Sequence, residues 1–185
     1  MSMCGGAISE PIIRICMMPR LSLLLLLALL LVSTFLALNS VQVLPERVAT
    51  HFNANGAADA WTNRDQYRLF LLLFLVGLPS LLVLVMAGLP RYTNGKGQIP
   101  NCEYWFAQEQ RQLTESFLIG HACWLGCLTV AVVYGIHILI LHANAMIPPV
   151  LAIDRLITML VVYLCGLVWW TAAYLRHFQR VDKNN

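Results

Sequence analysis

The sequence predicts an all-α integral membrane protein: four transmembrane helices with a short structured outward loop between the first and the second. Three observations predict it. The 185 residues are 59% hydrophobic and only 11% charged, whereas soluble domains run at about half apolar and about a quarter charged. Four stretches contain no Asp, Glu, Lys or Arg: Leu21–Leu38, Leu69–Leu89, Phe117–Leu141 and Leu156–Leu175, of 18, 21, 25 and 20 residues. A helix needs roughly 20 apolar residues to cross about 30 Å of hydrocarbon. Between the first two stretches, from Leu44 to Trp61, runs the segment densest in groups that could do chemistry.

The first span is longer than the roughly 7–15 residue core of a signal peptide, and no Ala-x-Ala site follows it. It is expected to be a retained helix reaching a few residues past Leu38. Residues 1–17 are expected to be an extension outside the fold, with Met17 or Met18 as an alternative start. Residues 18–89 then form a helical hairpin, 90–116 a connecting loop, 117–175 a second transmembrane hairpin and 176–185 a tail. In the second span, Gly77-Leu78-Pro79 predicts a kink near Pro79, where a backbone hydrogen bond is lost. Thr93-Asn94-Gly95-Lys96-Gly97 reads as a turn. Asn101 is placed to cap a helix with Glu103 in its first turn. Tyr104, Trp105 and Phe106 beside Gln108, Glu109 and Gln110 predict a short interfacial helix leading into the third span.

In the third span Cys123, Cys127, Ala131 and Gly135 recur at four-residue steps, and small residues at that spacing predict a helix-packing face. His121, Cys123 and Cys127 invite a metal reading. However, His121 lies two residues from Cys123 and points elsewhere, and a closed zinc site needs about four ligands. His121 and His137 are 16 residues apart, about 24 Å along a helix. To hold haem, each would need a histidine from another span, and the other three contain none. Hydrogen-bonded histidines are expected, with no metal and no cofactor. No nucleotide-binding glycine pattern, nucleophile elbow or zinc-protease motif occurs.

Lys and Arg flanking the spans set the expected orientation. Arg14, Arg20, Arg91, Lys96, Arg111, Arg176, Arg180 and Lys183 fall on the side of the termini; Arg47, Arg64, Arg68 and Arg155 fall on the other. The expectation is a multi-pass protein of the cell inner (plasma) membrane with cytoplasmic termini. Cys4, Cys16 and Cys102 lie on the terminal side and the outward loops hold no cysteine, so no disulfide framework is implied. The net charge of +3 is scattered, which argues against a nucleic-acid partner.

In the first outward loop Pro45 ends the helix, Thr50-His51-Phe52 has β-type residues, and Asn55-Gly56 signals a tight turn with positive φ at Gly56. His51 and Asp59 are expected to hydrogen-bond across that turn, Trp61 to anchor at the interface, and His51, Asn53 and Asp59 to form one cluster. Asp154 and Arg155, after the short loop from His142 to Pro149, are placed to pair with neighbours or with the first loop. A metal held by His51, Asp59 and His142 is a weak alternative.

Leu44, Pro45, His51, Phe52, Asn53, Gly56, Asp59, Trp61 and Arg64 resemble, in order, the motif of the DUF1648 (domain of unknown function 1648) family of prokaryotic integral membrane proteins. Pro100-Asn101, Tyr104-Trp105-Phe106 and Arg111 resemble an element of its compact four-helix members. The resemblance is distantly SdpI-like. SdpI-type proteins confer immunity to a secreted toxin but carry further helices beyond the four predicted here, so the resemblance implies the architecture and a motif without an assigned role. The function expected is a non-enzymatic sensing, binding or immunity-type protein. Its partners would be the lipid bilayer and an unidentified peptide, ion or protein at the outer face. The alternatives are a transport or channel accessory subunit, and a membrane enzyme using His51 and Asp59 as an acid–base pair. Against transport, no span holds the ionisable residues that ion and proton pathways show.

Overall fold

Leucine dominates the chain from Leu21 to Leu38, and neither glycine nor proline interrupts it. Straight-chain and leucine side chains lose little rotamer freedom in a helix, and α1 runs from Glu10 to Val41. This computed structural model describes residues 10–179, with side chains described from Arg20 onward. The expected extension over residues 1–17 lies partly outside the described residues; from Glu10 the chain is continuous with α1, so residue 17 marks no edge of the helix.

After α1 the chain forms an antiparallel hairpin of β1 (Arg47–Phe52) and β2 (Ala58–Asn63), pairing Arg47 with Asn63 and Phe52 with Ala58. Helix α2 (Arg64–Leu72) starts at once, because the Asn63 side chain accepts from the Asp65 N–H at 2.8 Å. It passes through a π-helical turn, Leu73–Gly77, into α3 (Leu78–Thr93). The distortion expected near Pro79 thus takes the form of a widened turn on its N-terminal side: Pro79 has no N–H to donate, and Leu78 N bonds Leu73 O, five residues back. A left-handed Asn94 ends α3, followed by Gly95 and Gly97 at positive φ.

The expected interfacial helix is a single turn, α4 (Cys102–Trp105). Asn101 precedes it but does not cap it with its side chain. Its φ of 55° is left-handed, whereas a capping side chain works from the β region. Helix α5 (Arg111–Asn144) has 34 residues, and α6 (Ile153–Gln179) has 27. The predicted tail from 176 therefore begins as helix; residues 180–185 lie outside the described residues. Four segments are long and apolar enough to cross a membrane: 20–41, 64–93, 111–144 and 153–179.

Helix α5 is the centre. It lies against α1 and α3 over much of its length and carries α6 on its remaining side. The core gathers Leu26, Ala37, Val41, Val48, Leu71, Leu75, Cys123, Cys127 and Val130. The small-residue stripe does not make one packing face. Cys123 and Cys127 are buried, Ala131 is exposed, and Gly135 faces Met159 of α6. Four residues advance the helix about 40° beyond a full turn, so by Gly135 the stripe has wound away from α1. Close approaches fall at Gly135, where an added Cβ would lie 2.5 Å from the Met159 sulfur of α6, and at Gly126, outside the stripe, where it would lie 3.0 Å from Leu26 and 3.2 Å from Val83.

Candidate functional site

The hairpin is fixed to the helices from beneath. Val48 and Ala49 are wholly buried and Leu44 nearly so. Asn144, in the last turn of α5, fits itself to the hairpin as a strand would: its Oδ1 accepts from Ala49 N at 2.8 Å, and its Nδ2 donates to Ala49 O at 3.0 Å. Arg64 Nη1 donates to Leu44 O at 3.0 Å and Gln42 O at 3.3 Å, while Arg64 N donates to Glu46 O at 2.9 Å. These bonds close the base of the hairpin on the end of α1.

The turn is built on Asn53. Its carbonyl accepts from Gly56 N at 2.9 Å, and its side-chain oxygen accepts from Asn55 N at 2.9 Å and Ala57 N at 3.1 Å, the local bonding that favours asparagine in turns. Gly56 has the expected positive φ, 81°. It also touches the chain before α6: Leu151 N donates to Gly56 O at 2.8 Å, and a Cβ on Gly56 would collide with the Leu151 carbonyl. Ala58 N donates to Pro149 O at 3.3 Å, and Ala57 bridges Val150. The third loop is thus attached to the first through backbone. Asp154 and Arg155 form no ion pair with that loop among the described residues.

On the outer side of the hairpin, His51 Nδ1 and Asp59 Oδ1 are 2.5 Å apart, with the side chains 71% and 43% exposed. The predicted cross-turn bond is present. Asn53 does not join the pair, because both its side-chain bonds go to the turn backbone within the loop. Trp61 is also exposed on β2, and Phe52 is half-buried. No group of three His, Cys, Asp or Glu side chains is placed to hold a metal among the described residues, so His51, Asp59 and His142 do not converge.

Beneath the hairpin lies a feature whose partners the sequence did not identify. Tyr67 Oη is 2.7 Å from His137 Nδ1, His137 Nε2 is 2.8 Å from Ser40 Oγ, and Ser40 Oγ is 3.0 Å from Ala37 O. The Ala37 carbonyl can only accept, so the serine hydroxyl is spent on it. His137 Nε2–H then donates to Ser40, and Tyr67 O–H donates to Nδ1. This polar line joins α1, α2 and α5, with His137 1% exposed. His121 is likewise hydrogen-bonded, in a reciprocal pair with Trp170.

Four apolar spans in a helical bundle, the first two joined through a β-hairpin cap, define a multi-pass membrane protein. Residues 23–77, from α1 through the cap to the π-helical turn, match the family model "Domain of unknown function (DUF1648)". Neither the curated proteins nor the solved structures yield a match to the chain.

Proposed function

We propose that this is a non-enzymatic integral membrane protein that binds or senses a partner at its hairpin face, with His51 and Asp59 as the recognition pair. One observation carries this reading. The hairpin is held by Leu44, Val48, Ala49, Arg64 and Asn144, while the His51–Asp59 pair stands open on its outer side, on the same hairpin as the exposed Arg47 and Trp61. An exposed ion pair contributes about 0–1 kcal/mol, so the pair is not what fastens the hairpin. Apolar groups stand on the same end of the bundle: Trp61, Met146 and a fully exposed Ile147. A hydrogen-bonded His–Asp pair on the same end as exposed apolar side chains suits a peptide or protein surface, and an immunity-type role would use the same face. Turnover is disfavoured because transition-state stabilisation depends on a water-excluded site, and this pair is open to solvent.

The excess of Lys and Arg at the opposite end supports an outward hairpin and cytoplasmic termini in the plasma membrane. Labelling an Asn55→Cys variant in intact cells tests the orientation; labelling only after permeabilisation would reverse it. His51→Ala tests the role. The variant is expected to accumulate like the wild type while losing the phenotype of the intact gene. Loss of abundance would make the pair a structural fastening, and an unchanged phenotype would remove it from the function.

A further inference from the structure

At the end of the bundle opposite the hairpin, α5 and α6 are joined by stacked rings. His177 lies on Phe117 with centroids 3.6 Å apart and planes 7° apart. Phe117 lies on His121 at 5.1 Å, and His121 on Trp170 at 4.5 Å. Both faces of the His121 ring are therefore covered, and only its edge is open. That edge has a fixed polarity. Nε2 is 3.0 Å from the Trp170 carbonyl, which can only accept, so the neutral ring carries its proton on Nε2 and presents a lone pair at Nδ1. No described residue bonds Nδ1, and no buried side-chain nitrogen or oxygen lacks a partner among the described residues. Nδ1 is therefore accessible in the space that His121 lines.

That space is two cavities meeting at His121 and Trp124. One, of about 490 Å³, is walled by Trp105, Phe117 and His177, with Gln110, Thr114 and Ser116 at its polar end. The other, of about 380 Å³, continues past Leu128 and Gly166 and is nearly all apolar. Each lies in the range of small-molecule sites, about 300–1,000 Å³. His121 is four residues inside the charge-free part of α5, about 6 Å along the helix, and Leu128 is about 10 Å deeper. The arrangement is a largely apolar, ring-walled groove that starts near the membrane surface and leads inward, with the His121 edge among its few polar groups. It suits an amphiphile with a hydroxyl donor and a flat head.

We propose that this site binds a membrane-dissolved quinol. A head hydroxyl donates to His121 Nδ1, the ring lies against Trp105 and Trp124, and the hydrocarbon tail follows Leu128 and Gly166. The site reads the reduced form, because a quinone carbonyl has no hydrogen to give to a lone pair. Recognition of the quinol here is independent of the hairpin face and involves no electron transfer.

The test is titration of the purified protein, in phosphatidylglycerol nanodiscs under argon, with a decyl-substituted benzoquinol and with the matching quinone, read by tryptophan fluorescence and by thermal stabilisation. Saturable binding of the quinol is expected, at least tenfold tighter than that of the quinone. His121→Phe keeps the ring stack and is expected to abolish the preference for the reduced form. Because that change also removes the bond to Trp170, Trp124→Ala serves as a second variant at a half-exposed position, with binding weakened several-fold. Absence of saturable binding, equal binding of both forms, or unchanged binding in Trp124→Ala would overturn the proposal. So would saturable binding of phosphatidylethanolamine or dodecylammonium with no response to the quinol, which would assign the cavity to an ammonium headgroup over aromatic rings.

Discussion

Replacing His137 by alanine should be among the most damaging single changes in the bundle, and the structure sets the size of the effect. Two side-chain hydrogen bonds vanish, at 2.7 and 2.8 Å; inside membranes such bonds average about 0.6 kcal/mol each. The Tyr67 hydroxyl, on a residue 7% exposed, is left without its partner at about 1–3 kcal/mol. Truncating a ring that is 1% exposed opens a cavity worth about 3 kcal/mol. The total is about 5–7 kcal/mol. Tyr67→Phe removes only the hydroxyl and strands the His137 Nδ1 lone pair, costing about 1–2 kcal/mol. The assay is unfolding in mixed detergent micelles followed by tryptophan fluorescence, with a double-mutant cycle between Tyr67→Phe and His137→Phe. A coupling of about 0.5–1.5 kcal/mol is expected from one directed bond. Zero coupling, or a His137→Ala variant as stable as Tyr67→Phe, would refute the directed line from Tyr67 through His137 to Ser40.

Three further outcomes follow from local geometry. Gly56→Ala places a Cβ at positive φ against the Leu151 carbonyl and should cost about 1–3 kcal/mol while loosening the loop before α6; unchanged thermal stability and unchanged protease resistance near Leu151 would count against it. Asn144→Ala strands the N–H and C=O of the fully buried Ala49 and should cost about 2–4 kcal/mol; faster hydrogen exchange in β1 than in α5 would confirm where the damage lies. Ala131→Leu should be tolerated within about 0.5 kcal/mol, because Ala131 is exposed; a large loss of stability would mean that another helix covers that face.

The four spans were legible because charge is excluded from hydrocarbon whatever the helices do to each other, and the hairpin because Asn55-Gly56 and Thr50-His51-Phe52 carry local signals. What depended on rotational phase was not legible. A membrane helix such as α1 is apolar on every side, so nothing in its sequence says that Ser40 turns toward His137, 97 residues away. The same lack of phase made the stripe from Cys123 to Gly135 look like one face. The docking of the third loop was hidden for a different reason: it is carried by backbone groups of Gly56, Ala58, Pro149 and Leu151, which are present in every sequence. Asn144 fell within the expected loop from His142 to Pro149, whereas it ends α5 and its carboxamide matches both hydrogen-bonding groups of Ala49.

The attachments of the hairpin suggest how a contact at its outer face would be felt. Its base is tied to α1 and α2 by Arg64 and to α5 by Asn144, and the Tyr67–His137–Ser40 line bonds those same three helices just beneath. A partner pressing on His51 and Asp59 would therefore meet a braced unit. The turn at Gly56 is different, because it bonds the chain at Leu151, two residues before α6. Helix α6 contributes only Phe178 to the fully buried side chains and lies against the bundle through α5. Its far end rests on the ring stack of His121, Phe117 and His177. If the hairpin face recognises a partner, α6 is the element left with freedom to respond.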